Sequence, residues 1–376
     1  MARAGDGSLF YAYVDGTGND TEVVVVHVAA DGAESELPRA HAARGGLTRP
    51  TLVLDSRGDL HLAWTERADE DREVFSARYR APAAGAPEGA GWTEITQLSS
   101  GQGYAGFPSL GATADGRVHV AWYGFDGEFY QTYYREWSNG AWAPARQLSS
   151  GPLDANNPSL VVDRDGGIHV AWYKDEGRRY SVWYAHRAPD GAWDLARRLP
   201  QGPGDALNVA LAVDEAGRVH VAWDERTEDA TRVMHALLDG PAISIGEGEY
   251  PAIAAWGDDV LVAWAAPDGT LMGWWGEDRT TRPLLGGGIF ARHPALRGPA
   301  PGDDDPRLDV LWSQPEDDGF ELSRASVGPG CSPFDKADGC RAPVEGRPMP
   351  ASSGALALLA CTLALFARPA RPGHKG

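Results

Sequence analysis

The chain has 376 residues, with 53 acidic against 34 basic side chains and a formal charge of −19. That charge is repelled by a phosphate backbone and excludes nucleic acid as the main partner. Hydrophobic residues at 43% exclude a disordered chain, and 47 glycines with 14 tryptophans fit the many tight turns and aromatic anchors of an all-β protein.

Residues 1–7 hold no apolar signal-peptide core, and strand-like sequence begins at once with Ser8-Leu9-Phe10-Tyr11-Ala12-Tyr13. That segment, DGSLFYAY, is half of a unit that recurs along the chain. The chain is therefore read as starting inside a repeat, with its true start and any export signal lost upstream. Full copies are RPTLVLDSRGDLHLAW, FPSLGATADGRVHVAW, NPSLVVDRDGGIHVAW and NVALAVDEAGRVHVAW. Weaker ones are YPAIAAWGDDVLVAW and HPALRGPAPGDDDPRLDVLW. Their anchors Tyr13, Trp64, Trp122, Trp172, Trp223, Trp264 and Trp312 are 51, 58, 50, 51, 41 and 48 residues apart. A period near 50 matches one four-stranded propeller blade.

The third full copy predicts strands over 158–162, 168–173 and 180–187, with a fourth starting near Trp193. These runs are short, rich in Val, Tyr and Trp, bounded by Asp/Gly turns, and alternate with period two rather than 3.6. Seven anchors predict a seven-bladed β-propeller. Six blades is the alternative, since the first copy lacks a first strand and the last, at 320–327, lacks a clear fourth. A ring of this kind is expected to close by pairing strands from the two ends, because an open edge invites aggregation.

His61, His119, His169 and His220 each stand three residues before a blade Trp. The repeat spreads them around the ring, so they are read as turn partners of Asp55, Asp163 or Asp214 rather than as one metal set. The anchor tryptophans are read as core. Asp163-Arg164-Asp165-Gly166 starts like a calcium loop but lacks the later carboxylates, so no cofactor or metal is expected and calcium has no support.

Strands alternate direction, so the loops after the second and fourth strands share one face. The first set is acidic and holds Glu66, Arg67, Asp126, Asp175 and Asp224. The second brings Tyr104, Phe107, Asn156, Asn157, Asn208, Tyr250 and His293, and Tyr123 and Tyr173 directly follow their anchors. Aromatic rings beside carboxylates and amides suit a carbohydrate, by stacking and by hydrogen bonds to hydroxyls. These residues form the candidate ligand site.

After residue 328 the pattern changes. All three cysteines lie here, so the main domain, 1–330, is neither disulfide-stapled nor a thiolate metal site. A spacer, 331–354, carries Cys331 and Cys340. An uncharged apolar run, 355–367, then leads to a basic end with Arg368 and Arg371. Thirteen helical residues reach about 20 Å, short of a bilayer core of about 30 Å. Spacer, apolar run and basic end resemble a tripartite C-terminal sorting signal of the MYXO-CTERM kind. That resemblance implies export, cell-surface or outer-membrane display, and a short apolar helix acting as anchor.

Ser138-Asn139-Gly140-Ala141-Trp142 and Pro189-Asp190-Gly191-Ala192-Trp193 resemble worn Asp boxes of the sialidase-like, BNR-repeat propellers. With the Pro-x-Leu hairpins, this resemblance covers about residues 7–330. It implies a binding cleft on the loop-bearing face. It also implies, for a sialidase, an arginine cluster, an acid/base Asp and a Tyr–Glu pair. Arg49 stands one place nearer Pro50 than that family's arginine, so strict alternation turns it the other way. Glu66-Arg67 recurs as Glu225-Arg226, which reads as repeat sequence rather than a unique catalyst. The chain is therefore read as a monomeric, non-catalytic cell-surface propeller binding a glycan or a surface protein. A divergent sialidase-like glycoside hydrolase is the alternative.

Overall fold

The computed structural model describes residues 1–17, 20–40, 47–68, 71–80, 91–93, 95–101, 103–285, 292–298, 308–316, 319–327 and 345–350. They form seven antiparallel sheets, each built from strands consecutive in the chain, with no helix among the described residues. The ring has seven blades, and the six-blade alternative falls. Blade 4 shows the plan, with strands Ala155–Val162, Ile168–Asp175, Tyr180–Arg187 and Arg197–Arg198. The inner strands of blades 2, 3, 5 and 6 are Thr48–Leu54, Gly106–Ala112, Asp205–Val213 and Glu249–Trp256. First strands of neighbouring blades stand side by side from blade 2 to blade 7, which puts them nearest the axis.

The second strands carry the core. In blade 4, Ile168 to Tyr173 are all buried, because both faces of the sheet pack on a neighbouring blade. Trp64, Trp122, Trp172, Trp223, Trp264 and Trp312 are at most 2% exposed, as their place in the repeat requires. Trp137, Trp274 and Trp275 are buried as well. In blade 3 the hairpin between the third and fourth strands turns on Asn139 and Gly140, at φ 52° and 87°. Two successive left-handed residues are the turn that matches the right-handed strand twist.

The two incomplete repeats are each complete. Ala2–Arg3 pairs with Leu9–Thr17 and supplies the missing first strand of blade 1. In blade 7, Glu345–Pro350 pairs with Gly319–Val327 as the fourth strand, inside the stretch expected to be a linker. Neither run has the Val/Tyr/Trp pattern of a buried strand, so sequence periodicity passes over both.

Closure also differs from expectation. Among the described residues no strand from one end of the chain enters the other end's sheet. Blades 1 and 7 instead meet through side chains, with Leu9, Tyr11, Val24, Val26 and Val28 packed on Leu311. The buried Asp309 of blade 7 accepts two hydrogen bonds from Arg3 of blade 1, both 2.8 Å. Among the described residues no helix is long and apolar enough to cross a membrane. Cys331, Cys340, Arg368, Arg371 and the apolar run 355–367 lie outside the described residues.

Candidate functional site

One backbone device builds the site. In blades 2 to 7 the first strand slips register just before its Pro-x-Leu segment, so two residues oppose one. The bulged residue is left-handed in five of these blades: Arg49 at φ 52°, Phe107 at 56°, Asn157 at 49°, Asn208 at 50° and Tyr250 at 57°. A branched or bulky residue pays about 1–3 kcal/mol of strain there, and a following proline restricts it further. The device repeats blade after blade on the face carrying the long loops. His293 occupies the same slot in blade 7.

The aromatic part lies between blades 2 and 3. Tyr104 and Tyr123 stack at 5.6 Å, Phe107 leans on Tyr123 at 5.5 Å, and Tyr130 meets Tyr123 edge-on at 5.6 Å. The Arg49 guanidinium lies 3.7 Å over the Phe107 ring. Strict alternation turns Arg49 away, but the bulge breaks the alternation and brings it onto the aromatic wall. Burial raises the Tyr123 phenol well above its ordinary value, and the phenols of Tyr104, Tyr173 and Tyr130 add to that. A pocket of about 80 Å³ opens alongside, lined by Glu73, Tyr104, Phe125 and Tyr133 among others. Burial raises the Glu73 carboxyl too, against the pull of its hydrogen bond from the Ser99 hydroxyl.

The polar part follows in blades 4 to 6. Asp224 is fully buried. It accepts a 2.8 Å bond from the Asn208 amide, one from the Tyr250 N–H at 3.3 Å and one from Arg226 Nε at 3.1 Å. Arg226 also reaches Glu249 at 3.3 Å. Burial pushes the Asp224 carboxyl up to about 6, although Arg226, Asn208 and Tyr250 pull it down. Tyr173 is 4% exposed and feels Arg49, Asp224 and Arg226 together. The two parts are thus continuous: Tyr123 of blade 3 acts on Tyr173 of blade 4, and Tyr173 on Asp224 of blade 5.

Of the residues expected here, the structure brings together Tyr104, Phe107, Tyr123, Tyr173, Asn208, Asp224 and Tyr250. Asn156, 7% exposed, pairs with Tyr173 across the ladder, and Asn157 holds the blade 4 bulge. Others have structural duties. Glu66 is buried and accepts the Trp64 indole N–H at 3.0 Å. Asp126 is exposed and caps its own hairpin through the N–H groups of Glu128 and Phe129. Asp175 does likewise for Gly177. Arg67 is exposed on the rim. The side chain of His293 lies outside the described residues. Arg49, Arg226 and Glu249 were not among the expected site residues. The signal for Arg49 is the slot before Pro, shared with Phe107, Asn157, Tyr250 and His293.

Fold and site together define a seven-bladed β-propeller with a loop-built site at its mouth. No family profile and no curated protein matches the sequence. Among solved structures, an ulvan lyase of polysaccharide lyase family PL25 has a TM-score of 0.61 at 11% identity, over 87% of this chain and 91% of that one. Trypanosoma rangeli sialidase has a TM-score of 0.50 at 11% identity, over 84% of this chain and 58% of that one. A protein of unknown function from Dyadobacter fermentans DSM 18053 has 0.52 at 13% identity, over 72% and 90%. At these identities the likeness is one of fold.

Proposed function

We propose that the mouth of the ring is a glycan-binding cleft on an exported, surface-displayed protein. The observation that carries this reading is the run of left-handed residues, Arg49 to Tyr250, which holds an aromatic wall beside an amide–carboxylate–guanidinium network. Strain kept in one slot through five blades, on one face, points to a role for what that slot presents. Sugars offer C–H faces to rings and hydroxyls to amides and carboxylates. The sialidase and the ulvan lyase among the fold neighbours add support. The test is a glycan array followed by calorimetry with the full chain. The reading expects saturable binding that Phe107→Ala and Asn208→Ala each weaken about tenfold. Binding that both variants leave intact overturns it.

A second reading, a divergent glycoside hydrolase on this scaffold, draws on Asp224, whose carboxyl is pushed to about 6 beside the Tyr173 phenol. An acid poised near the working pH is what general acid catalysis needs. New reducing ends released by the wild type and lost in Asp224→Asn select this reading over simple binding. Surface display rests on the apolar run 355–367 and its basic end. Cell fractionation that finds the intact tail in the cytosol overturns it.

A further inference from the structure

The opposite face carries a second constellation, in blade 4. Asp163, His169 and His186 each offer one ligand atom, and these atoms all lie within 4.8 Å of one another. His169 Nε2 is 3.1 Å from Asp163 Oδ2, and its Nδ1 is 2.6 Å from the Tyr184 hydroxyl. His186 stacks on His169 at 4.8 Å, with its Nδ1 3.1 Å from Asp194 Oδ2. The two imidazoles face each other across the ladder, since His169 pairs with His186.

The sister blades show why this one differs. Blades 2 and 5 repeat the Asp-to-His bond, Asp55 with His61 at 3.2 Å and Asp214 with His220 at 3.1 Å. At the ladder position of His186 they carry Arg78 and Leu237. The second imidazole of blade 5, His235, lies on the other side of the His220 ring, at Nδ1, where blade 4 has Tyr184. Four residues after the aspartate, blade 5 has Arg218, whose Nε sits 2.5 Å from Asp214 Oδ2. Blade 2 has Asp59 there, and Arg78 bonds to it at 3.3 Å. Blade 4 has Gly167. A Cβ at that position would press on the Asp163 carboxylate and come within 3.0 Å of His186 Nε2. The glycine leaves open the space where blade 5 seats a guanidinium, and two imidazole nitrogens and a carboxylate border it.

We propose that Asp163, His169 and His186 bind a divalent transition cation of the zinc class on the turn face of blade 4, with Gly167 making room for it. Two imidazoles and one carboxylate suit such an ion, at about 2.0–2.2 Å from each ligand atom, with at least one position left for water. That geometry needs the three atoms drawn to roughly 3.4 Å apart, a shift of about 1 Å that the half-buried Asp163 and His186 make toward the buried His169. Both outer nitrogens already have the partner that fixes a ligating histidine, Tyr184 for His169 and Asp194 for His186. On binding, the His169 proton moves from Nε2 to Nδ1, and the Tyr184 hydroxyl turns from donor to acceptor. No co-reactant is needed.

The test uses the full chain, stripped with a chelator, dialysed against Zn²⁺ at pH 7.5 and counted for bound metal. The wild type is expected to hold one zinc more per chain than His186→Ala or Gly167→Arg. Its thermal midpoint should rise with zinc while theirs stay put. Melting all three in chelator checks the fold first. Should Gly167→Arg unfold, His186→Ala decides alone, because its side chain is 26% exposed and carries little of the packing. Equal zinc in wild type and His186→Ala, or none in the wild type, overturns the proposal.

Discussion

The two faces of the ring use the same side chain, aspartate, in opposite ways. On the turn face Asp55 and Asp214 are buried, which by itself pushes their carboxyls up. The imidazoles of His61 and His220 and nearby backbone N–H groups more than offset this and hold both below the ordinary range. On the mouth face Asp224 is more deeply buried, has one backbone donor and no imidazole partner among its hydrogen bonds, and is pushed up to about 6. Asp154 is raised by burial too, against one N–H bond from Tyr130. At Asp55 and Asp214 an imidazole partner and hairpin N–H groups outweigh burial, while at Asp224 burial outweighs its donors. The turn face therefore keeps its carboxylates charged and structural, and the mouth keeps polar groups chemically undecided, which is what a site needs.

Acidification tests this contrast most strongly. A carboxyl raised from 3.8 to about 6 binds its proton more tightly in the folded state, so its contribution falls as pH rises between those values. Two units correspond to roughly 3 kcal/mol. Asp224→Asn should therefore gain about 3 kcal/mol on the wild type between about pH 3 and pH 8, in urea titrations at each pH. For Asp55 and Asp214 the sign reverses. Their contribution is present above the unfolded value of 3.8 and is lost as pH falls through the lower folded one. A parallel pH response in Asp224→Asn and Asp214→Asn would break the comparison.

Next in size, Asp214→Ala strips the partner from His220 Nε2 and from the Arg218 N–H and should cost about 2 kcal/mol in denaturant titration. Glycan affinity should not move, because the change lies on the far face. Phe107→Ala should do the reverse, lowering affinity about tenfold, or about 1.4 kcal/mol, with little loss of stability. The smallest effect comes from Asn157→Gly, which relieves a left-handed residue at φ 49° and should stabilise by about 0.5–1 kcal/mol in the same titration. If it also weakens ligand binding, the strain and the site are one device.

The blades were legible because Trp64, Trp122, Trp172 and Trp223 recur with a His three places before, the first three also with a Pro ahead, and one packing environment imposes that repeat. The end strands were not, because Ala2–Arg3 and Glu345–Pro350 pair through backbone and carry no pattern. In the site, Phe107, Asn208 and Tyr250 could be found from their slot. The reach of Arg49 could not, since a bulge reverses the alternation on which side-chain direction is judged. Asp224 stood level with Glu66, Asp126 and Asp175 among the candidate loop acids until its burial and its bonds to Asn208, Tyr250 and Arg226 singled it out. His186 joins His169 only through the cross-strand register, which composition does not encode.

The join between blades 1 and 7, made by apolar side chains and the Arg3–Asp309 pair, gives the toroid a seam. Among the described residues no strand crosses it, so the circle can part at that line while every sheet keeps its own ladder. Loosening would then travel from the seam one module at a time, as a zip opens, and the modules opposite, blades 4 and 5, would be the last reached. The seam is equally movable: a circular permutant cut in another hairpin would relocate it, and with it the place where the circle first gives.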